Sequence, residues 1–147
     1  MNPHANDPPQ LLHPRLIAPG AALLIAAFAT DVIYWRTLLF QWDNFSIWLI
    51  TAGLVLAALA GLALLLDVAR RGLGGMAWGR FAGFTAAALL SLLNAFVHTR
   101  DAYTAVVPSG LELSALVTVI LLVLGWRGWS LSAVRQPYPS KPREARS

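Results

Sequence analysis

Residues 81–101 read FAGFTAAALLSLLNAFVHTRD, a run apolar enough for a lipid bilayer that nevertheless carries a row of polar side chains. Ser91, Asn94, His98 and Asp101 recur at spacings of three and four, which on a helix places them on one face. An amide or imidazole exposed to hydrocarbon costs free energy unless a partner satisfies it, so this face predicts contact with other helices and not with lipid. The stretch therefore decides the class: an all-α, four-helix transmembrane bundle with a polar cluster near one surface.

Composition outside this stretch agrees. The chain has 147 residues, 57% of them hydrophobic and 12% charged, with a mean hydropathy of +0.60, which is too apolar for an ordinary soluble domain. The net charge of +4 and pI near 10.4 would point to nucleic acid in a soluble protein. Here the cations flank apolar runs, where anionic lipid and membrane insertion account for them, so no nucleic-acid partner is expected. There is no cysteine, which excludes disulfides, thiolate metal sites and thiol chemistry.

Four spans follow from the hydropathy, at about residues 16–35, 45–66, 81–99 and 111–129. Together they form one membrane domain, 13–131, between a polar, proline-bearing tail (1–12) and a basic, proline-rich tail (132–147), both expected to be disordered. Ala18, Ala22, Ala26 and Thr30 in the first span, and Gly53, Ala57 and Gly61 in the second, form small-residue stripes suited to close helix approach, within one chain or in a homo-oligomer. Arg15 and the following run through Ala27-Phe28-Ala29 also fit a signal peptide; the apolar run continues past that site, so retention is expected. Arg36 to Asn44, with Asp43, reads as a connection at headgroup level, ringed by Tyr34, Trp35, Phe40, Trp42 and Trp48. Arg15, Arg70, Arg71, Arg80, Arg127, Arg135, Lys141, Arg143 and Arg146 fall on one side of this topology, and only Arg36 and Arg100 on the other, which puts both termini in the cytoplasm.

A rise of about 1.5 Å per residue places Asp31 roughly 6 Å inside the outer end of the first span, with Asn94 and His98 within a similar distance of the outer end of the third. Glu112 opens the fourth at the same level, and Arg100 and Asp101 lie just above. Asp31, Asn94, His98, Arg100, Asp101 and Glu112 are therefore the candidate ligand-binding residues, with no catalytic or metal set assigned. The cluster has two readings. It is a polar clasp, with Asp31 pairing to Arg36 or Arg100, or a small-ligand, proton or redox site with His98 as ligand and Asp31 or Glu112 as proton acceptor. A haem held by two histidines would need a second one at the same depth; His4 and His13 are on the opposite side, leaving single-His ligation. A second, interfacial cluster comprises His13, Asp67, Arg70, Arg71 and Arg80, read mainly as ion pairing, with Arg70 or Arg71 on Asp67. No nucleophile elbow, phosphate loop or His-Glu-x-x-His pattern occurs, so a non-enzymatic role ranks first.

His13-Pro14, Ala29-Thr30-Asp31, Ala52-Gly53-Leu54 through Gly61 and Asp67, and the block from Asn94-Ala95-Phe96-Val97-His98-Thr99-Arg100-Asp101-Ala102-Tyr103 to Val107-Pro108-Ser109-Gly110-Leu111 resemble the bacterial membrane-protein family called domain of unknown function 2231. The resemblance covers about Leu12 to Trp129. It implies four transmembrane helices in a bacterial inner membrane and no established activity. Many relatives carry another His, or a Phe-Pro pair, shortly after the His-Pro; this chain has Ile17-Ala18-Pro19-Gly20 there. Relatives encoded near periplasmic quinoprotein dehydrogenases suggest an electron-transfer or anchoring role. The function expected first is thus a structural or accessory subunit that meets a periplasmic or membrane partner through the Arg100 to Gly110 segment, and the alternative is a redox (haem or quinone) or small-ligand protein.

Overall fold

The computed structural model describes residues 13–71, 76–100 and 106–131. They form helices α1 (His13–Thr37), α2 (Phe40–Arg71) and α3 (Trp78–His98), then a kinked turn (Val106–Gly110), extended at Val107, leading into α4 (Leu111–Trp126). Among the described residues there are no strands, and four helices are long and apolar enough to cross a membrane. The expected tails, 1–12 and 132–147, lie outside the described residues.

Lipid as solvent explains what faces outward. Leu65 at 66%, Phe96 at 63% and Val123 at 65% exposure would be aggregation liabilities in water but are ordinary against acyl chains. Inside, the core is small: Ala21, Leu24, Ala27, Ile50, Ala87, Val117 and Leu121. Hydrophobicity does not drive helices together in lipid, so close backbone approach must. α1 and α2 achieve it at Gly20 and Gly53, where a Cβ on Gly53 would sit 2.7 Å from Leu24. α3 and α4 do so at Gly83, where a Cβ would come within 2.9 Å of Leu124. The α1–α2 pairing is by far the most extensive, α3–α4 and α1–α4 are similar to each other, and the α2–α3 seam is thinner than these.

Several sequence expectations shift. The close-packing stripe on α1 is not Ala18, Ala22, Ala26 and Thr30: Ala22 is exposed, and the buried face runs through Gly20, Leu24, Ala27, Asp31 and Tyr34. The two stripes are about 100° to 160° apart on the helix, and residue size alone does not say which faces the partner. Gly61 has nothing within 4 Å of an added Cβ. It lines an almost wholly apolar cavity of about 210 Å³ between α1, α2 and α3, together with Gly20, Gly53, Ala60 and Phe84.

The connection expected over 36–44 shrinks to Leu38 and Leu39. Thr37 caps its own helix through Ile33 O at 2.8 Å, and Leu38 N–H still reaches Tyr34 O at 2.7 Å. Leu38 then takes a left-handed φ of 56°, so two residues reverse the chain. Asp43 consequently lies in the first turn of α2, where a carboxylate suits the helix dipole. At the other extremity α4 stops at Trp126, short of residue 129. Gly128, at φ +92°, turns the chain back, and Trp129 folds over Gly125 to lie 6.1 Å from the ring of Phe84. Leu131 then docks between the starts of α1 and α3, its carbonyl accepting from Ala77 N–H at 2.8 Å.

Candidate functional site

Three helices converge at the end of the bundle away from His13. On α3, Ser91, Asn94 and His98 are all buried on the face their spacing predicts. Ser91 Oγ donates to Ala87 O within its own helix at 2.8 Å. Asn94 O accepts from His98 Nδ1 at 3.0 Å, which fixes the ring against the helix and requires a proton on Nδ1, because a carbonyl only accepts. His98 Nε2 faces Asp31 Oδ1 of α1 at 3.1 Å, with both side chains fully enclosed. A second proton must lie between these two atoms, on nitrogen as an imidazolium or on oxygen as a carboxylic acid.

α2 completes the group. Ser46 Oγ donates to the same Asp31 oxygen and lies 3.3 Å from Ala27 O, while Asp43 Oδ1 stands 3.9 Å from His98 Nε2. Three acceptor oxygens in this region, Asp31 Oδ2, Asp43 Oδ1 and Asn94 Oδ1, are buried with no hydrogen-bond partner.

Not every residue named from sequence joins. Glu112 is in the first turn of α4 but exposed, and the buried polar side chains of that helix are Ser114 and Thr118. Arg100 and Arg36 are exposed, the latter stacked on Trp35 with its guanidinium 5.0 Å from the ring centroid. The expected pairing of Asp31 with Arg36 or Arg100 is therefore replaced by His98 and Ser46. An exposed guanidinium keeps its hydration, whereas the imidazole is already enclosed on the same level as the carboxylate. Asp101, and with it part of the Arg100 to Gly110 segment, lies outside the described residues.

Sequence reasoning missed Asp43 and Ser46 by assigning them to a loop or the edge of a span. A signal was present: Asp43, Ser46, Ile50, Gly53, Ala57 and Ala60 alternate at three and four, so the packing face found at Gly53 extends back to them.

The second cluster divides. His13 is 2% exposed, and its Nδ1 lies 2.8 Å from Asp67 Oδ2, so the carboxylate expected to meet Arg70 or Arg71 meets the histidine. Leu131 N–H donates to Nε2 of the same ring at 3.2 Å. Arg70 is exposed, and Arg80 is half-buried at the start of α3. Among the described residues no group of three His, Cys, Asp or Glu is placed to hold a metal ion.

The comparisons with known proteins agree with this architecture. The chain matches the family described as predicted membrane protein (DUF2231) over residues 9–136. It belongs to that family. No curated protein and no solved structure matches it. The chain is thus a multi-pass membrane protein of a family without an assigned function.

Proposed function

We propose that this DUF2231 protein is a non-enzymatic structural or accessory subunit of the bacterial inner membrane, both termini cytoplasmic, that works alongside a membrane or periplasmic protein. In this reading the group around His98 is a polar clasp near the periplasmic face, holding α1, α2 and α3 in register where lipid gives apolar packing no advantage. One observation carries the choice over a haem-type role: both ring nitrogens of His98 are engaged by the protein and the side chain is fully enclosed. An axial ligand needs a free lone pair on an approachable nitrogen. The orientation is supported by Arg15, Arg70, Arg71, Arg80 and Arg127, which cluster at the His13 end, against Arg36 and Arg100 at the other.

The test is an absorption spectrum of the detergent-purified protein, as isolated and after reduction, for the wild type and His98→Ala. The expected result is no His98-dependent haem or flavin band and a variant of reduced thermal stability. A band that shifts on reduction and vanishes in a well-folded His98→Ala protein would replace the clasp with electron transfer. The three unpartnered acceptor oxygens favour a second reading, a small ligand that donates hydrogen bonds or carries positive charge.

A further inference from the structure

We propose that Arg80 and Arg127, at the end of the bundle opposite His98, bind a phosphate oxyanion, carried by an anionic phospholipid headgroup or free in solution. Arg80 is half-buried in the first turn of α3, and its Nε and Nη2 are shut off from solvent with no hydrogen-bond acceptor. Those two nitrogens form the edge of the guanidinium that takes two oxygens of one oxyanion in parallel bonds, once rotation about the side-chain torsions turns it from its enclosed position to the pocket beside it. A charged group desolvated along that edge needs an anionic acceptor, and the described carboxylates are committed elsewhere. Asp67 pairs with His13, Asp31 and Asp43 lie at the far end of the bundle, and Glu112 begins α4 at that far end.

The surroundings suit a phosphate. Gly83 lets Leu124 close on α3, which brings the first turn of α3 level with the last turn of α4. Arg80 and Arg127 line one pocket of about 440 Å³ there with Ala77, Trp78, Gly79 and Val123. Arg127 is exposed, and among the described residues neither arginine has an ion-pair partner. Ala77 supplies no side-chain cap to α3, so the field of that helix start adds to the two cations without opposing them. Trp78, which lines the pocket, is 59% exposed, as a side chain at headgroup level is. A basic pocket between two helices at the membrane surface is a recurrent way to hold a lipid phosphate.

The test uses the full chain in detergent, titrated with phosphatidylglycerol in one arm and inorganic phosphate in the other, with bound adducts read by native mass spectrometry. Wild-type protein should retain phosphatidylglycerol, Arg80→Gln should lose roughly tenfold in apparent affinity, and Arg127→Gln several-fold, as expected for lost charge-assisted bonds. Arg80→Lys should recover only part, because an ammonium cannot make the fork. Arg70→Gln, an exposed cation at the same end, should leave retention unchanged. Saturable inorganic phosphate binding that displaces the lipid would assign the free anion as source; no displacement would assign the headgroup. Equal retention in Arg127→Gln, Arg70→Gln and wild type would overturn the site, and that comparison stands even where Arg80→Gln fails to fold. Because this site and the His98 group lie at opposite ends, its failure leaves the clasp reading untouched.

Discussion

Each end of the bundle carries a buried histidine beside an aspartate, and the two pairs hold different numbers of protons. At the His13 end, Nε2 accepts from Leu131 N–H, so the single ring proton is on Nδ1, directed at Asp67. At the His98 end, Nδ1 donates to Asn94 O, and a further proton is needed between Nε2 and Asp31. One pair is a neutral imidazole donating to a carboxylate, and the other contains one proton more. The difference comes from what meets the second nitrogen: a backbone N–H from the chain returning after α4, or the helix's own carbonyl. Both pairs join helices, but the His13 pair also fastens the segment after α4, whereas the His98 pair leaves acceptor oxygens unpaired beside it.

The most severe way to break this contrast is Asp31→Ala. It removes the acceptor of both His98 and Ser46 in an enclosed site, and should cost about 3 to 5 kcal/mol, the range for an orphaned buried partner. Thermal unfolding in detergent would check it, and a loss no larger than that of a surface substitution would contradict the clasp. Glutamine sharpens the comparison. His13→Gln can still donate to Asp67 and accept from Leu131, so it should cost about 1 kcal/mol or less, while His98→Gln faces a carbonyl and a carboxylate and should cost roughly 1 to 3 kcal/mol. Equal losses at the two positions would show that the proton counts do not matter to stability.

Gly128→Ala acts on the His13 end alone. Its φ of +92° penalises any Cβ by about 1 to 2 kcal/mol, loosening the turn that presents Leu131 to His13. Faster amide exchange at Leu131, with His98 contacts unaffected, is the expected readout.

The candidate site was partly legible in the chain. Asn94 and His98 declared their shared face because helical spacing is local, and Asp31 declared itself because an ionisable group in an apolar run needs a partner. Asp43 was hidden by a loop reading, since polar and aromatic residues at a membrane surface look alike whether the backbone has turned or is already helical. Glu112 was included on depth alone, and depth says nothing about which way a side chain points around its helix. The partner of Asp67 was misassigned because two arginines adjacent in sequence seem nearer than a histidine 54 residues away.

The sequence by itself determined the solvent, the number of spans, the all-α class and the polar face of α3. All of these follow from hydropathy and from periodicities within single segments. Only the tertiary structure decided that α1 packs through Gly20 and not its alanine stripe, that His98 meets Asp31, Ser46 and Asp43, and that Leu131 closes on His13. Each of those depends on the rotation of one helix about its axis relative to another. In lipid that rotation is chosen by close backbone contact and paired polar groups, which act between segments far apart in sequence.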